Sequence, residues 1–90
     1  MEEKLANFGQ ALEALKLGKR VARQGWNGKG MWLILINYGE KQAGHVDLGN
    51  NLGVWAINSY IGLKSAQDTF EAGWKPSSMD MLAEDWIILN

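Results

Sequence analysis

Arg20-Val21-Ala22-Arg23-Gln24-Gly25-Trp26-Asn27-Gly28-Lys29-Gly30-Met31-Trp32-Leu33-Ile34-Leu35-Ile36-Asn37 decides the fold class. Two extended runs flank Asn27-Gly28, and both of those residues tolerate the positive φ that a type I′ hairpin turn requires. The pattern predicts a strand over Arg20 to Trp26 pairing, through that turn, with a strand over Gly30 to Asn37. The second run is unbroken in its hydrophobic character, which predicts a central strand covered on both faces. Two indoles and an ammonium crowd the turn, and five of the nine basic residues (Lys16, Lys19, Arg20, Arg23, Lys29) lie on the approach to it. Such an edge suits a flat, anionic molecule, and nucleotides are the commonest cell constituents of that description.

N-terminal to the hairpin, Phe8, Ala11, Leu12 and Leu15 repeat at i, i+3, i+4 and i+7, the stripe of an amphipathic helix from about Phe8 to Leu17. Asn7 is its N-cap, Gln10 completes a capping box, and Gly18 supplies the residue after the C-cap. C-terminal to the hairpin, Tyr38 to Gly53 is rich in Gly, Asn and charge and predicts a long loop with at most one short strand. Val54 to Ile57 and Tyr60 to Ser65 read as extended. Thr69 to Trp74 reads as a strand after a turn at Ala66-Gln67-Asp68, with Phe70, Ala72 and Trp74 on one face. Pro76 ends it, Ser77 or Ser78 caps a single helical turn, and Trp86 to Leu89 forms a last strand. The expected fold is α+β: an N-terminal helix packed on a mostly antiparallel sheet of five or six strands, with a short helical turn before the C-terminal strand.

Ninety residues predict a single domain, 1–90, that buries only roughly 60–65% of its unfolded surface. With 47% hydrophobic residues and five tryptophans, the surplus apolar surface predicts a homo-oligomer, a dimer or tetramer. Cysteine is absent, which excludes disulfides, thiolate metal sites and a thiol nucleophile. The longest apolar run, Met31 to Ile36, is too short to span a bilayer, and Met1-Glu2-Glu3-Lys4 does not open a signal peptide, so a cytoplasmic location with no membrane association is expected.

The residues of reaction chemistry do not assemble into a catalytic set. His45 is the sole histidine and has no second ligand or base beside it in sequence. Gly25-x-x-Gly28-Lys29-Gly30 has the wrong spacing for a phosphate-binding loop and precedes a strand instead of a helix. Asp80, Glu84 and Asp85 are carboxylates near a short helix, where they serve its dipole. No enzyme, metal site or cofactor is expected. Of the tryptophans, Trp32 and Trp55 read as core or interface and Trp86 as packed. Trp26, beside the turn, and Trp74, before Pro76, hold loop-end positions that serve either ligand stacking or packing.

In order and spacing, these residues resemble the second type of Thoeris anti-defence protein, small phage and prophage proteins that counter a bacterial immune system. The resemblance is carried by Asn7-Phe8-Gly9-Gln10-Ala11-Leu12-Glu13-Ala14-Leu15-Lys16, Gly18-Lys19-Arg20-Val21, Gly25-Trp26-Asn27-Gly28-Lys29 with Met31, and Trp74-Lys75-Pro76-Ser77 with Asp80 and Leu82-Ala83-Glu84-Asp85-Trp86. It departs at Gln67-Asp68-Thr69, where Asp-Gly is expected, and at Glu71 to Gly73. The resemblance implies a sponge: a homo-oligomer with pockets between protomers that binds a cyclic ADP-ribose isomer, or a related cyclic nucleotide, without cleaving it. In that role Trp26 or Trp74 would stack on adenine. Lys29 or Arg23, with backbone N–H groups near Ser77 and Ser78, would hold the pyrophosphate, and Asn27 or Asp80 would meet base edge or ribose hydroxyls. The same Asn27 is otherwise a turn residue and Asp80 a helix-capping carboxylate. A single-stranded nucleic-acid-binding protein is the alternative from another class, as is a structural oligomeric phage component. The net charge of -1 opposes the first, so no DNA partner is expected.

Overall fold

The computed structural model describes residues 4–26, 30–36 and 44–90. Helix α1 (Phe8–Lys16) leads into strands β1 (Val21–Arg23), β2 (Trp32–Ile36), β3 (Gly44–Asp47), β4 (Val54–Ile57), β5 (Tyr60–Lys64) and β6 (Phe70–Glu71), then helix α2 (Ser78–Leu82) and strand β7 (Trp86–Ile88). Five strands form one antiparallel sheet in the order β6-β5-β2-β1-β7, while β3 and β4 form a separate two-stranded sheet. The expected α+β architecture is what the chain adopts. Among the described residues no helix is long and apolar enough to cross a membrane.

α1 begins as its sequence dictates. Asn7 Oδ1 accepts from the Gln10 N–H at 2.8 Å and Gln10 Oε1 accepts from the Asn7 N–H at 2.9 Å, a reciprocal cap that satisfies two donors the helix start leaves open. Gly18, at φ +85°, ends it in the left-handed conformation that glycine adopts without a Cβ penalty. Its apolar stripe, Ala11, Ala14 and Leu15, lies on a row of sheet residues, Val21, Leu33 and Leu63, that the strand registers place side by side. Trp86, from the C-terminal strand, completes the core and is fully buried.

The structure corrects several local expectations. β2 is covered on one face only: α1 lies over Leu33, whereas Trp32, Ile34 and Ile36 on the other face are half-buried and no described element packs over them. One helix in so short a chain cannot cover two faces of a sheet. The strand expected over Thr69 to Trp74 is two residues long, because the backbone bends at Ala72-Gly73, with Gly73 at φ +78°. The chain returns to the sheet only where the Trp74 N–H donates to Ile61 O at 2.8 Å. Within the glycine-rich segment, Gly44–Asp47 is a strand paired along its full length with Val54–Ile57, so 44–57 is a hairpin and not a long loop. Trp55 is no core residue: it is 59% exposed on that hairpin. The expected Asn27-Gly28 turn, with candidate residues Asn27 and Lys29, and the part of the predicted loop over 37–43 lie outside the described residues.

Candidate functional site

The antiparallel pairing of β1 with β7 sets Arg23 opposite Trp86, and from that pair the site builds outward in two layers. The first is aromatic. The Trp26 and Trp74 rings each meet Trp86 edge-on, with centroids 5.6 Å and 6.3 Å away, and meet each other at 6.4 Å. Phe8, from the first turn of α1, closes the far side of Trp86 at 5.5 Å. Edge-to-face contact directs each ring's positive rim at its neighbour's negative face, and such pairs add about 0.5–1.5 kcal/mol beyond area burial. Trp26 and Trp74 remain half-buried, so both retain some surface towards solvent.

The second layer is ionic. The Arg23 guanidinium donates from Nε to Asp85 Oδ1 and from Nη1 to Asp80 Oδ1, both at 2.9 Å. Asp85 Oδ2 accepts from the Gly25 N–H at 2.9 Å, which ties the chain entering the turn to the segment before β7. Asp80 Oδ2 accepts from the Ser77 N–H at 2.8 Å and from its hydroxyl at 2.9 Å, and Ser77 Oγ accepts from the Asp80 N–H at 3.1 Å. This is a capping box on α2. The layers join where Trp86 Nε1 donates to Asp80 O at 3.0 Å.

These contacts set the charges. Burial pushes the Asp80 carboxyl upwards, but the Ser77 amide, the Arg23 guanidinium and the Ser77 hydroxyl outweigh it and hold the group below its ordinary value. Asp85 is lowered first by Arg23, against a smaller opposing effect of burial, and further by the Gly25 amide. Arg23 is correspondingly raised by Asp85 and then Asp80. All three groups are ionised at neutral pH.

Six of the eight residues expected from the sequence are thus brought into one patch: Arg23, Trp26, Trp74, Ser77, Ser78 and Asp80. Their geometry assigns Arg23 and Asp80 to each other, and Ser77 and Asp80 to the start of α2. Asp85 and Trp86 bind this patch together, and sequence reasoning gave neither that place. Only the pairing of β1 with β7, sixty-two residues apart at Arg23 and Asp85, reveals it. Elsewhere on the sheet, Arg20 lies over the Trp32 ring at 5.1 Å and donates from Nε to the Asn90 carbonyl, so a second cation of the expected basic edge is also engaged within the chain.

The segments that make this patch are those in which the chain is similar to known proteins. A family model described as the Tad2-like, Thoeris anti-defense 2-like domain matches residues 6–89. A protein of Bacillus phage SP01 named Thoeris anti-defense 2 is 41% identical over 88 residues, a match that covers 93% of this chain and 94% of that protein. With helix, sheet, aromatic cluster and C-terminal strand all inside the matched span, the chain belongs to the Thoeris anti-defense 2-like domain family.

Proposed function

We propose that the protein counters Thoeris anti-phage defence by binding and sequestering a cyclic ADP-ribose-type signalling nucleotide, without cleaving it, as a homo-oligomer in the cytoplasm of the host cell. In Thoeris defence a TIR-domain sensor makes such a signal and an effector responds to it. Lowering its free concentration is enough to keep the effector silent, provided the binder is abundant and tight. The observation that carries the reading, together with family membership, is the pair of half-buried indoles Trp26 and Trp74, held against a buried third by a fixed ionic frame. A sequestering protein gains affinity from groups ordered before the ligand arrives.

In this reading Trp26 or Trp74 stacks on adenine. Lys29 and the backbone near Ser77 and Ser78 take the pyrophosphate. Arg23 acts by holding the frame, since its donors are directed at Asp80 and Asp85. Asn27 ranks ahead of Asp80 for base edge or ribose hydroxyls, because both Asp80 oxygens are engaged. Ultrafiltration of the protein with a panel of cyclic ADP-ribose isomers and cyclic oligonucleotides tests the reading. The bound nucleotide should vanish from the filtrate and return intact after heat denaturation. A degraded product, or no depletion by any member of the panel, would refute it.

A further inference from the structure

The β3–β4 hairpin packs on no other described helix or strand. The Cα radius of gyration is 15.0 Å, against about 12 Å for a compact chain of this length, and the long axis reaches 52 Å while the others are 28 and 24 Å. A two-stranded hairpin alone is at best marginal in water, yet the end of this one is tightly built. Gly49 N donates to Asp47 Oδ1, Leu52 N to Gly49 O, and Leu48 N to Gly53 O, while Trp55 Nε1 donates to Leu52 O at 2.8 Å. The register sets Val46 beside Trp55 on one face, with Ile57 two residues on. Val46 is 38% exposed, Trp55 59%, and the tip residues Leu48 and Leu52 are 49% and 60% exposed.

We propose that this hairpin is an arm that seats on a second copy of the chain, in the groove between α1 and β7. That groove, of about 780 Å³, is lined by Leu5, Leu17, Lys4, Lys19 and Ile88 among others, and Leu17 is 74% exposed. Its floor is a sheet edge. Trp86 uses its outward N–H and C=O on Ala6, so those of Ile88, two residues on, also point out of the sheet. The charges match, because Asp47 is the charged group of the arm and Lys4 and Lys19 outnumber Glu13 around the groove. Area favours a copy over a foreign partner. One arm in one groove buries roughly 800 Å² counting both sides, whereas two-fold exchange doubles this to the ~1,600 Å² of a stable interface.

The inference rests on the self-association proposed above and not on the identity of the nucleotide. The chain lacks cysteine, so single cysteines report position cleanly. Chains carrying Leu52→Cys and Leu17→Cys, mixed with a short bis-maleimide, should give a crosslinked heterodimer. Trp55→Asp should raise the oligomer's dissociation constant about tenfold or more. A monomer by native mass spectrometry at micromolar concentration overturns both this and the proposed self-association. An oligomer that crosslinks arm to arm, crosslinks the arm to Phe70→Cys on the open sheet face, gives no arm crosslink, or ignores Trp55→Asp overturns the arm-in-groove contact alone and leaves sequestration standing.

Discussion

Arg23 Nε donates to Asp85 Oδ1 at 2.9 Å, while the other oxygen of the same carboxylate accepts from the Gly25 N–H at 2.9 Å. Asp85 therefore ties strand β1, the backbone entering the turn and the start of β7 to one another. Trp26 follows Gly25 directly, so the position of its ring depends on this link as well as on the rings it touches.

Replacing Arg23 by Ala leaves Asp80 and Asp85, whose side chains are 14% and 26% exposed, without their shared cation. Loss of charge-assisted hydrogen bonds at such a site costs about 1.5–3 kcal/mol. Thermal unfolding of Arg23→Ala should then begin several degrees below wild type, at about 4–8 °C per kcal/mol for a domain of this size. Arg23→Lys should recover part of the loss, because an ammonium is a point charge and cannot reproduce the guanidinium fork.

Acid should weaken the same frame. Asp80 and Asp85 titrate below the ordinary value of 3.8 when folded. Carboxyls depressed in this way contribute stability that is fully present above their unfolded pKa and is lost as pH falls through the folded one. Urea midpoints measured from about pH 6 down to about pH 3 should fall, with the steepest loss below about pH 4. Asp85→Asn should start lower and fall less over that range. An unchanged slope in that variant would show that Asp85 does not carry its share of the acid response.

The local devices were legible in the sequence because each is written in neighbouring residues: Asn7 with Gln10 at one helix start, Ser77 near the other, Gly18 at the end of α1. The arrangement of α1, the sheet and the last strand followed from hydrophobic periodicity. What periodicity could not show was long-range pairing. Arg23 reads as a free cation on a basic edge until β7 is laid beside β1, and only then does Asp85 come into reach. The 44–57 hairpin was hidden by composition, since Gly49, Asn50, Asn51 and Gly53, which mark a loop in sequence, are residues with positive φ at its end. The unbroken apolar run of β2 suggested two covered faces, and one helix supplies only one.

Trp86 and Trp55 should respond oppositely to truncation. Trp86 is fully buried among Phe8, Trp26 and Trp74, so Trp86→Ala should cost roughly 3–5 kcal/mol and leave little folded protein at physiological temperature. Trp55→Ala, on the exposed hairpin, should leave the unfolding of the body close to wild type. Circular dichroism melts of the two variants, at concentrations low enough to suppress association, distinguish these outcomes.

Trp26 and Trp74 carry the sharpest prediction for the proposed site. Because each ring packs edge-on against Trp86, Ala at either position removes packing along with any stacking surface, and melting temperature and affinity should fall together. Phe retains an aromatic edge for Trp86 but offers a smaller face to a base. Trp26→Phe and Trp74→Phe should therefore melt within a few degrees of wild type, while the variant at the stacking position loses up to about 1–3 kcal/mol of nucleotide affinity. Calorimetric titration with the nucleotide that wild type depletes makes the comparison. Wild-type affinity in both Phe variants, with both folded, would show that neither indole stacks on the ligand and would move the search to the turn at Asn27 and Lys29.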